Sequence, residues 1–214
     1  MAEKADRVTQ ERLEKDIAEA SGRLAASRPA SDEGTFLRRL ADSCIEMAAC
    51  YVSDAGHFTD DGDRVTALAA ANYASEWIGC GEKAGILDLS QDAAPADAIS
   101  CGRCSADTIT DARMAKYLDI TRRARLAVAM APPERSFGIR MAQWCLSESD
   151  ALYAEAVSLA EALDYIDAFA TVNRSHAWLD FGARTGLFDV GGDDVLFTLY
   201  ERGSHGSSKS TDTS

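Results

Sequence analysis

The amino-acid sequence predicts an all-α protein made of two tandem three-helix bundle repeats that pack as a pseudo-twofold pair. The first observation behind this prediction is an ungapped internal duplication, offset by 101 positions in the 214-residue chain. The second is that all four prolines lie between stretches rich in strong helix formers, where proline does not interrupt a helix. The third is that sustained alternation of apolar and polar residues is missing, except in the short segment 195–200.

The duplication consists mostly of residues with packing and capping roles. Between residues 36 and 89, 13 of 54 positions are identical to the residue 101 places further along. The identities in and just after the last helix of each copy include Asn72/Asn173, Trp77/Trp178, Gly81/Gly182, Gly85/Gly186 and Asp88/Asp189. A copy of about 85 residues is near the lower size limit for a stable core. We therefore expect the two copies to stabilise each other.

The helices of the first copy are predicted from apolar spacing, caps and breakers. Asp32 is the expected N-cap of the second helix, and Asp61 or Asp63 that of the third. Gly85 is expected in the left-handed conformation just past the end of the third helix. The three helices are predicted at about residues 7–26, 32–58 and from the 60–63 turn to 84.

The second copy repeats this plan from about residue 110 to 185 and ends at Gly186. Its turn between the second and third helices is less clearly marked, because Leu163 replaces Gly62. The predicted division of the chain is a first repeat at 1–92, a linker at 93–107, a second repeat at 108–200 and a disordered tail at 201–214.

Composition limits the environment and the partners. Thirty-five acidic residues against 22 basic ones give a net charge of −13, which argues against a nucleic-acid partner and is typical of proteins adapted to high salt. The charged N-terminus does not resemble a signal peptide, and no segment approaches the roughly 20 apolar residues that span a bilayer. We therefore expect a cytoplasmic protein with no membrane partner and with free thiols.

Cys101 and Cys104 form the most suggestive chemical motif. A CxxC sequence can be a redox pair or half of a zinc site. This pair falls in the predicted linker, and the chain has no second CxxC. We favour plain linker thiols, with a reversible disulfide or a zinc ion bridging two chains as alternatives.

Other candidate groups are weaker, and we expect no resident metal or cofactor. Asp54 and His57 share a helix face, but the second copy has no equivalent histidine. Asn72 and Asn173 are preserved polar residues in the middle of helices, which suggests either an internal hydrogen bond or a ligand contact. Trp77 and Trp178 are interpreted as packing residues rather than as a binding platform.

The third helix of each copy carries a recognisable pattern. Asp63 to Ala74, Trp77, Gly81 and Gly85 to Asp88 resemble the archaeal domain-of-unknown-function 357 family, and Trp178 to Asp189 resembles it more closely. The resemblance implies a small helical bundle in each copy and an archaeal, halophilic source, and it implies no activity. The family pattern has Leu-Asp where the first copy has Ile78-Gly79, whereas Asp180 keeps the aspartate in the second copy.

Three functional hypotheses follow. The leading one is a non-enzymatic, cytoplasmic helical protein-interaction module with a protein partner of unknown identity, and homo-oligomerisation is left open. The second is a small-molecule or catalytic site between the repeats, built from Asn72, Asn173, Asp180 and His176. The third is a thiol switch at Cys101 and Cys104.

Overall fold

Six α-helices make up most of residues 4–90, 105–191 and 194–197, which are the residues that the computed structural model describes. Every helix of the second repeat begins and ends 101 residues after its counterpart in the first. The helices are α1 Gln10–Ala26, α2 Phe36–Asp60, α3 Arg64–Lys83, α4 Asp111–Ala127, α5 Phe137–Glu161 and α6 Tyr165–Arg184. The predicted pair of three-helix repeats is confirmed.

The helix starts are fixed by side-chain caps, and one predicted cap is wrong. Asp63 caps α3 as expected, because its Oδ1 accepts a hydrogen bond from the Thr66 amide at 3.0 Å. The N-cap of α2 is Thr35 rather than Asp32, since the Thr35 hydroxyl oxygen accepts from the Arg38 amide at 3.1 Å. Gly34 has a φ of 80°, which interrupts helical geometry between Asp32 and Thr35.

Short strands that the sequence did not indicate close each bundle. In the first repeat β1 (Ser27–Pro29) pairs antiparallel with β2 (Leu87–Leu89), and in the second β3 (Ala129–Met130) pairs antiparallel with β4 (Phe188–Asp189). These two- and three-residue ladders join the end of the first helix of each repeat to the segment after the third. In the short alternating segment at 195–200, the described residues are 195–197, and Asp194–Leu196 forms a 3₁₀ turn.

The helices α3 and α6 form the centre of the molecule. Each packs against the other two helices of its own repeat, and the two pack against each other. Trp77 and Trp178 are almost fully buried in one core that contains residues of both repeats. Phe181 makes edge-to-face contacts with both indoles, with ring centroids 5.7 Å and 6.2 Å apart. The expected mutual support of the copies therefore occurs through a shared core.

The segments before α1 and α4 cross to the opposite repeat in a reciprocal way. Ala5 bridges to Asp164, and Ala106, 101 residues later, bridges to Asp63. The Val8 amide donates to the Asp107 carbonyl oxygen at 2.7 Å. The Ile109 amide likewise donates to the Asp6 carbonyl oxygen at 2.8 Å. These paired exchanges are the signature of a pseudo-twofold axis relating the two repeats.

The turn between α5 and α6 contains an unusual leucine. Leu163 has a φ of 66°, the left-handed conformation that Gly62 adopts at 78° in the equivalent turn. The turn is retained because its carbonyl oxygens hold the crossing segments: the Ala5 amide donates to Leu163 O at 2.9 Å and the Ala106 amide to Gly62 O at 3.1 Å.

Replacing Leu163 with glycine is expected to raise the free energy of unfolding by about 0.5 kcal/mol. Glycine removes the strain of the left-handed conformation, which costs a non-glycine residue about 1–2 kcal/mol. Because glycine has a higher entropy in the unfolded state, about 0.5–1 kcal/mol of this gain is lost. Urea unfolding is the measurement. The reverse change, Gly62→Leu, should lower the free energy of unfolding. If both changes shifted the free energy of unfolding in the same direction, backbone strain at these positions could not be the cause.

Candidate functional site

Two clefts lie where the repeats meet, and each contains one of the predicted asparagines. Asn173 lines the larger cleft and Asn72 lines the smaller one. Asp180 and the two tryptophans line neither. The four residues of the hypothetical inter-repeat active site therefore do not converge on one pocket. Cys101 and Cys104 lie outside the described residues, so the thiol hypothesis stays a prediction.

The larger cleft, which we call the aromatic cavity, has a volume of about 520 Å³. It lies between α2 and α3 of the first repeat and α4 and α6 of the second, next to residues 194–197. Most of its wall is apolar or aromatic. The residues that argue for this character are Tyr51, Phe58, Tyr73, Tyr117, Ile120 and Phe197.

The smaller cleft, which we call the charged cleft, has a volume of about 360 Å³ and lies between α1, α3 and α6. Its ionic side chains bind one another. The Arg12 guanidinium contacts Asp16 at 3.0 Å and Asp167 at 2.6 Å, and Arg174 contacts Glu76 at 2.8 Å. The charges that line this cleft are therefore largely neutralised inside the protein.

The two clefts occupy equivalent positions in the duplicated fold, since many of their lining residues are related by the 101-residue offset. Lys15 and Asn72 of the charged cleft correspond to Lys116 and Asn173 of the aromatic cavity. The chemistry at the other equivalent positions differs. The exchanged pairs, charged cleft first, are Asp16/Tyr117, Glu19/Ile120, Ser75/His176, Asp167/Thr66 and Arg174/Tyr73.

This exchange changes what each asparagine binds. The Asn72 amide nitrogen donates to Asp16 Oδ2 at 2.8 Å and to the Leu68 carbonyl oxygen at 3.0 Å. Asn173 makes only the second kind of bond within the described part of the chain, to the Phe169 carbonyl oxygen at 2.7 Å. Tyr117 replaces the aspartate, so the buried Asn173 side chain keeps hydrogen-bonding capacity next to the aromatic cavity.

His176 lies in the wall of the aromatic cavity, with both ring nitrogens engaged. Its Nε2 is 3.0 Å from the Leu196 carbonyl oxygen, which can only accept, so Nε2 carries the proton. Its Nδ1 then accepts from the Thr121 hydroxyl at 3.4 Å. Burial lowers the pKa of His176, against the opposing charge of Asp180. The imidazole is therefore a neutral structural group that ties residues 194–197 to α6.

The lowered pKa of His176 predicts a pH-dependent stability. In the unfolded chain this histidine is protonated below about pH 6.5, whereas in the folded chain it is protonated only at a lower pH. The free energy of unfolding should therefore fall as the pH drops, by up to about 1.4 kcal/mol per pH unit, and this contribution levels off below the folded pKa. Urea unfolding of wild type and His176→Gln between about pH 8 and about pH 5.5 checks this. If the free energy of unfolding changed with pH by the same amount in wild type and in His176→Gln, the prediction would be contradicted.

Asp180 is a buried link between the repeats rather than a cleft residue. It accepts a hydrogen bond from the Tyr73 hydroxyl of α3. Burial raises the pKa of Tyr73, and the Asp180 carboxylate adds to the increase. The residue equivalent to Asp180 is Gly79, so this link exists once in the molecule.

Glu76 is a second buried carboxylate that links the repeats, and here the first repeat supplies the acceptor and the second repeat the donors. The sequence analysis did not identify this residue. Its carboxylate accepts from Trp178 Nε1 at 2.7 Å and from Arg174 Nε at 2.8 Å, both in α6. The equivalent residue is Ala177, and among the described residues the Trp77 indole N–H has no hydrogen-bond partner. The two tryptophans therefore share a packing position and differ in their polar contact.

Three cysteines in the shared core are free thiols. Burial raises the pKa of Cys44 and of Cys145 to about 12 and that of Cys80 well above its ordinary value. Since the thiolate is the reactive form, these cysteines act as small packing residues. Cys44 Sγ also donates to the Trp77 carbonyl oxygen at 3.0 Å.

Neither a metal cluster nor a membrane helix occurs in the described ranges. Across 4–90, 105–191 and 194–197, no three His, Cys, Asp or Glu side chains are grouped so that they could hold an ion. None of the helices in these ranges combines the length and apolar character that crossing a membrane requires.

The fold and its clefts define a duplicated all-α protein with one aromatic and one charged site. A family model described as protein of unknown function (DUF357) matches residues 15–87 and again residues 116–188. The two matches together span more than half of the chain, and the chain belongs to this family. No curated protein and no solved structure matches it.

Proposed function

We propose that this protein is a non-enzymatic, cytoplasmic helical module that binds a protein partner through two equivalent aromatic anchors. The anchors are Phe36 and Phe137, which occupy the first position of α2 and of α5. Their side chains are 67 % and 78 % exposed. They are identical in the two copies although most positions have diverged, and their exposure indicates no role in the core.

Two further exposed apolar side chains lie close to the anchors in sequence. Leu37 follows Phe36 in α2 and is half exposed, and Met130 lies on β3, shortly before α5. Large exposed apolar side chains that occur together are typical of interaction surfaces, and aromatic residues supply much of the binding energy there. The symmetry of the fold presents two such anchors, so a partner that engages both gains avidity.

Charge supports a protein rather than a polyanion as the partner. The net charge of −13 disfavours nucleic acid at moderate salt. A complementary surface would offer apolar pockets with a neutral or basic rim. The partner that we propose is a second protein, and a second copy of this chain is one of the outcomes of the test.

We extend the proposal to a salt-rich, reducing and archaeal cytoplasm. The free core cysteines are compatible with a reducing compartment, and the excess of acidic residues favours high salt. Repulsion among these acidic groups weakens as salt screens them. A melting temperature that does not rise with increasing KCl would argue against this environment.

The test compares capture of partners from a native-salt lysate by five forms of the chain: wild type, the double variant, the two single variants and a control. We expect wild type to retain one defined protein, Phe36→Ser/Phe137→Ser to lose it, and each single change to weaken its retention. Leu163→Gly is the matched control, since it removes a partly exposed leucine just past the opposite end of the 25-residue helix α5. Identical capture by wild type and the double variant would overturn the proposal. Self-association lost only in the double variant would identify a second copy as the partner.

A further inference from the structure

We propose that the aromatic cavity binds a small organic anion with a ring-bearing apolar body. This goes beyond the proposed docking function, because the cavity lies between the repeats and does not include Phe36 or Phe137. A volume of about 520 Å³ falls within the range of sites for small organic ligands.

The wall favours a flat apolar body. Tyr51 and Tyr73 lie on one side with ring centroids 4.5 Å apart, and Tyr117 approaches from α4. Phe197 stacks on His176 at a centroid distance of 6.4 Å. Aromatic walls of this kind gain energy from ring contacts in addition to the area that a ligand buries.

The charges of the cavity favour an anion. Lys116 and Arg123 line the cavity with exposed side chains, and neither forms an ion pair or hydrogen bond in the described part of the chain. Most other arginines with a described partner bind a carboxylate, as Arg12, Arg125 and Arg174 do. Among the described residues, the one acidic side chain that lines the cavity is Asp54, which is already engaged in an interaction of its own. Lys116 and Arg123 are therefore available to pair with the anionic group of a ligand in this cavity.

The charged cleft serves as an internal control for this interpretation. Both clefts arise from the same helix packing, yet in the charged cleft Asp16 and Asp167 bind Arg12, and Asp16 also binds Asn72. In the aromatic cavity Tyr117 and Thr66 stand at those two acidic positions, and Asn173 is left with spare hydrogen-bonding capacity. The fold therefore does not require an open aromatic cavity at this place. Its aromatic wall and its spare hydrogen-bonding capacity are properties that suit a bound ligand.

The proposed role is binding, without a covalent step. Both nitrogens of His176 are committed to Thr121 and Leu196. The Asn173 amide is a neutral polar group in the wall with hydrogen-bonding capacity left to orient the ligand.

The experiment uses two fluorescent probes on the full chain: 8-anilinonaphthalene-1-sulfonate, an aromatic anion, and N-phenyl-1-naphthylamine, which has the same ring system without the charge. We expect the sulfonate to bind wild type saturably at one site. Lys116→Ala/Arg123→Ala should weaken the sulfonate about threefold to tenfold and leave the neutral probe unchanged. Lys15→Ala, the equivalent change in the charged cleft, should affect neither probe.

A second pair of variants tests the location. Ile120→Trp should fill part of the cavity and weaken both probes by about tenfold or more, whereas Glu19→Trp at the equivalent position of the charged cleft should not. Phe36→Ser/Phe137→Ser should retain probe binding, so failure of the docking proposal is distinguishable from failure of this one. The inference is overturned if wild type shows no saturable binding, if Ile120→Trp binds normally, or if both probes respond equally to loss of the two cations.

Discussion

Replacing Glu76 with alanine is expected to lower the free energy of unfolding by about 3 kcal/mol, one of the two largest effects that we predict. Glu76 is 6 % exposed, and its carboxylate is the acceptor for Trp178 Nε1 and Arg174 Nε. Its removal leaves a fully buried indole N–H without an acceptor and a guanidinium without its partner, and breaking a buried charged pair from one side costs about 3–5 kcal/mol. We take the lower end because the Arg174 side chain is 42 % exposed.

Two further variants make this prediction specific. Glu76→Gln keeps an acceptor for the indole and loses only the charge, so its effect should be smaller than that of alanine. Glu82→Ala removes another α3 glutamate, whose 3.3 Å pair with Arg23 is half exposed, and should cost less than about 1 kcal/mol. Urea unfolding gives all three values. An equal cost for Glu76→Ala and Glu82→Ala would refute the role of Glu76 as a link between the repeats.

Gly182→Ala is expected to lower the free energy of unfolding by about 3 kcal/mol for a steric reason. A Cβ at this position would lie 2.1 Å from Phe188 Cε2. Phe188 has little room to move, because it is buried in the shared core and its backbone pairs with β3. Overpacking a rigid core costs about 1–3 kcal/mol and occasionally more. The close approach of β4 to α6 explains why both copies have glycine here.

The matched control is Gly56→Ala, in the C-terminal part of α2. A Cβ there would meet nothing within 4 Å. Since alanine is a better helix former than glycine, this change should raise the free energy of unfolding by about 0.5–1 kcal/mol. Thermal and urea unfolding of both variants check the pair. A destabilised Gly56→Ala, or a neutral Gly182→Ala, would contradict the packing described for α2 or α6.

The sequence was sufficient for the helical architecture because the signals for it are local and occur twice. Asp63 and Gly85 mark the start and end of α3, and their counterparts do the same for α6. The strands could not be predicted, since ladders of two or three residues carry no periodic pattern. The true cap Thr35 was missed because Asp32 is an equally good capping residue, and only the backbone conformation of Gly34 decides between them.

The candidate site was predicted less well than the fold. Residues that are identical in the two copies are mainly those that stabilise the fold, so they do not reveal a site that exists in one copy. Asn72 and Asn173 did mark the two clefts, but the chemistry of each cleft is determined by positions that differ, such as Asp16 and Tyr117. Pairs that exchange an aromatic for a charged residue at the 101-residue offset were the signal that could have revealed the cavity. Glu76 was missed for the same reason, since its equivalent is Ala177.

The two repeats form one pseudo-twofold unit held together by the crossing segments before α1 and α4. Amide hydrogen exchange at Val8 and Ile109 tests this arrangement, because each amide donates to a carbonyl oxygen of the segment before the other repeat. We predict that both amides exchange only through global unfolding, with protection free energies equal to within about 1 kcal/mol. Exchange of either amide at the rate of a frayed chain terminus would contradict the reciprocal pairing.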